Sequence, residues 1–516
     1  MFKRISHADG IVSDAEILFS TQFGYMFPDA ARSRACLLPH TEVTQNGLRA
    51  LGKAMADNGA PGSPISSLDS TMPAIFTYLG QFIDHDITAR TDRDTTVSML
   101  GKGEPINPSD PDDVVNGLRN GRRPQLDLDS VFGDGPGLAG SAAPAITESQ
   151  VLYDSQYKLN VFESGGRVDL PRKKVTDIDG NDSFPATIAD MRNDENINVS
   201  QLQTAFFKFY NAVHADQPGS GKQKHIRARS LVRWAYQYIV VNEYLPTVCD
   251  ADVVLDTLHN GPRYFGPAAG QGGAFMPLEF SVAAFRFGHS MIRPFYKLSS
   301  TSGNIKLVKG AGDPPSTIFL LGTNSNPANF DADNQLKKKL NIEWKNFVGA
   351  TAQKARKIDT KIAHDLFTLP FRPDDPVLTN LAQSNLFRGY SLSIPTGQAM
   401  CDAMSIYPLT PTEILGGEDP AIAAAVQDAY FHHRTPLWYY VLREAAVQQQ
   451  GDRLGELGSR IVAETLIGLL KQDPNSYLNN RFDSAVKANG IDVKPGPGGV
   501  VGNLVDLLKK AGFTGI

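Results

Sequence analysis

The stretch YLGQFIDHDIT, residues 78–88, sets Gln81, Asp84, His85 and Asp86 among apolar residues at helical spacing. Burying a polar group without a partner costs roughly 2–7 kcal/mol, so a helix interior holds such a quartet only for a reason. Four residues apart, Gln81 and His85 share a face; Asp84 lies on its flank and Asp86 a further step round. One helix thus offers glutamine and histidine to a cavity, one carboxylate to its rim and another elsewhere. The plain alternative is a helix end with solvated carboxylates and a hydrogen-bonded histidine.

FRFGHSMIRPF (285–295) carries a second histidine, His289, read here as mid-helix, beside Gly288 and three residues after Arg286. Glycine inside a helix costs about 1 kcal/mol relative to alanine. A flat group packed on the backbone compensates for that, and Arg286 is placed to reach an anion at its edge. A histidine that ligates haem iron, with an arginine near the propionates, meets all three facts; a core histidine near a surface arginine meets them too. MRNDEN (191–196) sets Arg192 and Glu195 three residues apart before a helix, and QSNLFRGYSLSIPTGQ (383–398) does the same with Asn385 and Arg388.

The elements that must position these side chains are mostly helical. In VSQLQTAFFKFYNAV the residues Leu202, Ala205, Phe206, Phe209 and Val213 follow helical spacing; 226–245, 281–295, PLWYYVLREAAVQ and LGSRIVAETLIGLL read the same way. Short β-rich pieces such as STIFLLG (316–322) are a minority. Residues 101–190 are rich in Gly, Pro, Asp and Ser, which predicts long ordered loops on a helical scaffold. No repeat, low-complexity tract or linker divides the chain. The expectation is a mainly α fold: a single large helical domain over 1–516 with few short strands. Residues 1–70, which show little periodicity, are expected as an irregular extension wrapping the helical core.

With 516 residues the chain suffices for a large core, and 41% hydrophobic against 20% charged residues is a globular balance. A net charge of −5 gives no pull toward nucleic acid or an anionic membrane, and the basic run GKQKHIRARS (221–230) reads as one solvated helix face. Cys36, Cys249 and Cys401 suit neither a zinc site nor a disulfide framework and read as reduced thiols. The N-terminus MFKRISHADGIVSD has no apolar leader region, and no run of ~18 apolar residues exists. The expected location is cytoplasmic, or secreted without a cleavable N-terminal signal.

Together and in this order, GQFIDHD, RNDEN, FRFGH and QSNLFRGY resemble the animal-type haem peroxidase family, which includes myeloperoxidase, lactoperoxidase and the cyclooxygenases. The resemblance runs from about residue 20 to the C-terminus. LDLDSVFGDG, RNDEN and PLWYYVLREA with GSRIVAETLIGLL are similar to its bacterial members, in which a response to oxidative stress is a natural setting.

The resemblance implies that His85 is the distal histidine, taking a proton from bound hydrogen peroxide and returning it to the leaving oxygen. Arg192 would stabilise the charge that develops as the O–O bond breaks, leaving water and a ferryl haem. Gln81 matches the halide-site glutamine. His289 would be the proximal ligand of the haem iron and Asn385 the acceptor of its other N–H, with Arg286 and Arg388 meeting the propionates. Asp84 and Glu195 match the two carboxylates that are ester-linked to haem methyl groups in mammalian members, so the implied cofactor is haem b with ester links open at both. Asn196 stands where myeloperoxidase carries the methionine of its sulfonium link, so that bond is expected to be absent.

Asp86 matches a calcium ligand, together with the loop RPQLDLD (123–129). Ca2+ takes about six to eight oxygens; Asp86, Asp127 and Asp129 offer carboxylates, and Arg123 and Gln125 offer carbonyls. The family usually has threonine at the place of Arg123, whose guanidinium is an alternative neutraliser of the acids. DIDGNDSFPATI (177–188) imitates an EF-hand but has glycine at the wrong position and Ile188 where glutamate is needed.

The implied activity is a haem peroxidase using hydrogen peroxide on small phenols, aromatic amines or halides. Two alternatives stand beside it. Fatty-acid dioxygenases of this superfamily carry a tyrosine three residues before the proximal histidine, where this chain has Arg286. A non-catalytic binding or adhesion module does not need His85, Arg192, His289 and Asn385 together.

Overall fold

The computed structural model describes residues 3–5, 11–13, 21–57, 66–92, 106–133, 152–266, 274–310, 312–314, 316–322, 324, 326–369, 376–480 and 501–516. Much of the stretch FGDGPGLAGSAAP, expected as ordered loop, lies outside them. The fold is mainly α, and strands are few and short. Six form one sheet: β1 (Lys3–Ile5), β2 (Ile11–Ser13), β3 (Thr21–Gly24), β4 (Arg90–Asp92), β5 (Leu118–Asn120) and β6 (Phe275–Pro277), in the order β6-β3-β5-β4-β1-β2.

The first 70 residues are less irregular than their sequence suggests. They contribute three strands to that sheet and a helix, α1 (Glu42–Ala54). Thr41 starts α1 by accepting the Thr44 N–H at 3.2 Å. Two glycines masked its period, and both are there for close approach. A Cβ on Gly47 would lie 2.3 Å from Ala429 Cβ, and one on Gly52 2.6 Å from Gln383 Cγ.

Helix α2 (Ile75–Ile87) carries the polar quartet, and of its residues only Gln81 is not buried. Its C-terminal end is clasped by Asn120, which donates to the Ile87 carbonyl at 2.7 Å and accepts from the Ala89 N–H at 2.8 Å. Helix α3 (Ile197–Asp216) lies alongside, with Phe206 stacked on Phe82 at 4.6 Å between ring centroids. Helix α4 (Gly221–Ile239) runs on through a wide π-turn, Val240–Tyr244, into Leu245–Val248. Pro246 explains the widening: it offers no N–H, and its ring clashes with the carbonyl four residues back.

The segment around His289 departs from the continuous helix expected. A π-turn, Glu279–Ala283, passes into a 3-10 stretch, Ala284–His289, so His289 ends a tight turn rather than sitting mid-helix. Ala283 makes the break, with φ −130° and ψ −77°. The change of winding sets Phe285 on Phe280 at 4.5 Å between centroids. Helices α5 (Leu381–Ser391), α6 (Leu437–Gln449) and α7 (Glu456–Gln472) complete the proximal wall. A last helix, α8 (Leu504–Lys510), packs back on α3; its Leu504 N–H donates to Glu243 at 2.7 Å, and Phe513 beyond it meets Trp344 edge-on.

Candidate active site

His85 is fully buried, and its Nδ1 lies 2.7 Å from Asn193 Oδ1. The Asn193 amide donates its Nδ2 to Gln203 Oε1 at 2.9 Å, which leaves Oδ1 to accept, so Nδ1 of His85 carries the proton. A neutral imidazole of that tautomer keeps a basic lone pair on Nε2. Arg192 is fixed beside it: Nη2 donates to the His85 carbonyl at 2.7 Å and to Asp190 at 2.7 Å, and Nε donates to Asp190 at 3.0 Å. Asp190 also accepts from Arg122. The loop itself is pinned by Arg172, which makes two 2.8 Å bonds to Asp194 and one of 2.8 Å to Asp169, all three side chains fully buried. Asn193, Asp190 and Arg172 were missed in the sequence. The only signal was the density of alternating acids, bases and amides from Asp190 to Asn196.

Gln81 is joined to the same loop, since Asn196 Nδ2 donates to its Oε1 at 3.0 Å. Glu195 is half-buried, and its carbonyl accepts the Gly322 N–H at 2.7 Å. Asp84 accepts the Thr88 hydroxyl at 3.0 Å.

On the other wall His289 Nδ1 lies 2.8 Å from the Asn385 amide, drawn with Nδ2 toward the ring. A histidine that ligates metal through Nε2 keeps its proton on Nδ1, and a half-turn of the amide then brings Oδ1 to accept it. Asn385 and Arg388 are buried one turn apart on α5, whose start is capped by Asn380. Arg286 donates Nε to the Ser281 carbonyl at 2.9 Å and comes within 4.0 Å of Asp84, so the two histidine-bearing segments meet edge to edge. Trp438 Nε1 donates to the Arg286 carbonyl at 3.1 Å and holds that segment down. A Cβ built on Gly288 or Gly389 would meet nothing within 4 Å. Space therefore opens beside His289 and beside Arg388. A flat iron porphyrin fits this donor set and this opening: an imidazole for the metal, arginines for two carboxylates, bare backbone for a ring face.

Behind His85 lies a cluster of acids. Asp86, Asp127 and Asp129 are buried, and one oxygen of each lies within 4.8 Å of the others. Asp86 accepts the Leu128 N–H at 3.1 Å and the Ser130 hydroxyl at 3.1 Å. Leu126 and Leu128 hold left-handed conformations, φ 52° and 58°, which leucine adopts only under constraint. Burial, with Asp129 and Asp127 next in effect, holds the Asp86 carboxyl well above its ordinary range. Burial also pushes Asp129 up to about 6 against the pull of Arg122, 3.1 Å away. Arg123 Nη2 sits 3.3 Å from Asp127, and the Arg123 carbonyl accepts the Gln125 N–H at 2.9 Å. The guanidinium thus does part of the neutralising, while Asp86 has no direct ion pair among the described residues and feels Arg122 only at longer range. Three converging carboxylates in excess of their counter-charges suit a hard cation such as Ca2+. The EF-hand lookalike is a hairpin tip, in which Asp177 accepts the N–H groups of Asp179 and Asn181.

The model of the family described as animal haem peroxidase matches residues 118–483. Peroxinectin A of Dictyostelium discoideum is 28% identical over 182 residues, 33% of this chain and 32% of that protein. Peroxidase mlt-7 of Caenorhabditis elegans is 26% identical over 191 residues, 35% of this chain and 25% of that protein. The chain therefore aligns with about a third or less of these relatives' length. Among solved structures, Peroxidase A of Dictyostelium discoideum superposes with a TM-score of 0.58 at 18% identity, covering 92% of this chain and 94% of that one. A fatty acid alpha-dioxygenase of Arabidopsis thaliana gives 0.54 at 15% identity, covering 88% and 74%. These likenesses show the fold. Among the described residues no helix is long and apolar enough to cross a membrane.

Proposed function

From the premise that this chain belongs to the animal haem peroxidase family, we propose that it reduces hydrogen peroxide at a haem b and oxidises small organic donors or halides. One observation carries the reading. His85 and His289 each have Nδ1 bound to an asparagine, at 2.7 and 2.8 Å, on segments that meet at Asp84 and Arg286. Each ring is thereby oriented with Nε2 as its working atom.

His289 would hold the iron through Nε2, Arg286 and Arg388 would meet the propionates, and Asp84 and Glu195 would be the candidates for ester links to the haem. Bound there, the haem supplies redox chemistry that no side chain has. The protein's own part is proton handling. His85 Nε2 takes a proton from hydrogen peroxide and gives it to the departing oxygen as water forms, and Asn193 holds the Nδ1 proton in place so that Nε2 is the atom that gains and loses it. Arg192, immobilised by Asp190, holds a fixed positive charge where negative charge develops and does not reorganise to do so. Asp86, Asp127 and Asp129 would hold Ca2+ behind the distal helix, with the Arg123 and Gln125 carbonyls as further ligands. Arg286, tied to Ser281 and facing Asp84, occupies the position at which the dioxygenase reading wants a tyrosine, and this favours the peroxidase.

Haem titration of the purified protein tests the reading. The expected result is a Soret band that shifts with stoichiometric peroxide. His289→Ala should lose the band, and His85→Leu should keep it while losing the shift. A wild-type protein with no Soret band, or a His85→Leu variant that reacts as fast as wild type, refutes the proposal.

A further inference from the structure

One carboxylate oxygen on the distal side serves two arginines. Asp190 Oδ2 accepts from Arg192 Nη2 at 2.7 Å and also from Arg122 Nη2. The other arm of the Arg122 guanidinium, Nη1, donates to Asp129 Oδ1 at 3.1 Å. Asp129, Arg122, Asp190 and Arg192 thus form a row of charges of alternating sign, running from the acid cluster to the arginine tied to His85, and all of them are buried. Burial works against the charge on Arg122, but Asp129 and Asp190 hold its pKa above the ordinary value, so the guanidinium stays ionised. Its backbone is fixed as well. The Arg122 N–H donates at 3.1 Å to Asn120 Oδ1, the atom that also accepts the Ala89 N–H just past the end of α2. Charges in such surroundings are little screened, so a change at one end of the row is felt at the other.

We propose that Arg122 is a positioning residue that acts through Asp190 on Arg192, and that it couples the charge of the acid cluster to the charge that the distal cavity meets. The proposal rests on the peroxidase reading above and adds to it a line of control. Two arginines compete for Asp190 Oδ2, so the more of that oxygen Arg122 holds, the less of the Arg192 charge Asp190 compensates. A cation seated on Asp129 takes that carboxylate from Arg122 and leaves the guanidinium to Asp190. Arg192 then presents a fuller positive charge to a developing anion. Without Arg122, Asp190 turns its whole charge on Arg192.

Cyanide, which binds haem iron as an anion, is the probe, and the test compares wild type, R122M, R192M and the double variant in the haem-loaded protein. R122M should weaken cyanide binding about fivefold or more, and in the R192M background it should change the affinity less than about twofold. R122K, which keeps a point charge but cannot span two carboxylates, should recover part of the loss. An R122M effect of the same size with and without Arg192 overturns the proposal, since neither a direct field nor a packing defect needs Arg192. Calcium in place of chelator should tighten cyanide binding about threefold in wild type, and by linkage cyanide should tighten calcium binding by the same factor. Both factors should fall toward unity in R122M; a calcium effect absent in wild type, or unaltered in R122M, overturns the coupling. Urea unfolding of the haem-free chain supplies a second cycle. Either arginine alone still pairs with Asp190, so the double variant should lose about tenfold or more in its folding constant beyond the product of the single losses. Losses that simply multiply overturn the shared oxygen. Where R122M does not fold, R122Q, which keeps donors without charge, replaces it in both cycles. A wild type that takes up no haem would instead sink the peroxidase reading, and the unfolding cycle would still decide the role of Arg122.

Discussion

Removing the cation from the Asp86 cluster offers a sharp test of the distal architecture. Two carboxylate oxygens within 4.8 Å of each other repel by about 3.5 kcal/mol or more at an effective dielectric of about 20, and the three acids make three such pairs, a strain that shows in the Asp86 carboxyl being held well above its ordinary range. Arg122 offsets the charge of Asp129 from 3.1 Å. Arg123, nearly half exposed, is worth only about 0.5 kcal/mol to Asp127. Several kcal/mol of repulsion is left for a bound ion to relieve. At free calcium about 100-fold above Kd, linkage gives about 2.7 kcal/mol, which for a chain of this size is a Tm rise of roughly 2–3 °C. Calorimetry at pH 7.5 with calcium and with chelator should show that difference. The difference should fade near pH 5, because Asp129, with its pKa pushed up to about 6, is then protonated and competes with the ion. Arg123→Thr should tighten binding at least two- to threefold by removing the competing charge and adding a hydroxyl. No calcium by metal analysis, or a shift that persists undiminished at pH 5, would refute the reasoning.

Asn193→Leu removes the acceptor for His85 Nδ1; stopped-flow mixing with peroxide should be slowed roughly 10- to 100-fold, within the range a general base contributes, with haem loading unaltered. Gly288→Val should leave the haem-free Tm within a degree or two, since the added atoms enter open space, yet weaken haem binding at least tenfold by titration. Arg172→Leu strands Asp169 and Asp194 in the interior and should cost about 3–5 kcal/mol in urea unfolding. Burial is the first cause that lifts Glu279 and Glu444 to about 7. The folded protein then keeps protons that the unfolded chain has lost, so stability should decline as pH rises from about 4.5 to about 7 and level off above. Glu444→Gln should reduce that slope by about 1.4 kcal/mol per pH unit, and an unchanged slope would rule Glu444 out.

His85, Asp86 and His289 were legible because such types are rare in apolar stretches, whereas the roles of Arg192, Asp127 and Asp129 followed from the family resemblance, their own segments being short turns without a period. Their partners were not legible. Asn193 meets His85 across 108 residues, and no local period marks that pairing. Asn196 read only as a missing methionine, whereas its work is to cap α3 and grip Gln81. The helices 437–449 and 456–472 were plain from their apolar stripes. Helix α1 hid behind two glycines whose purpose lies in the helices they touch. The tight winding before His289 went unseen because a 3-10 turn and an α-turn share most of their apolar pattern over six residues. The neutralising role of Arg123 was open in the sequence as one of two alternatives, and its 3.3 Å contact with Asp127 weighs toward it.

Helix α8 lies beyond residue 483, where the family match ends, yet it is seated on α3. Leu504, Leu507 and Leu508 are buried there, and Lys510 pairs with Asp216. Expression designs trimmed to the family boundary would therefore peel a lid from α3, leaving a greasy strip in water. Affinity tags belong on a spacer clear of α8, and versions that lack this helix should be suspected of clumping before they are suspected of being inactive.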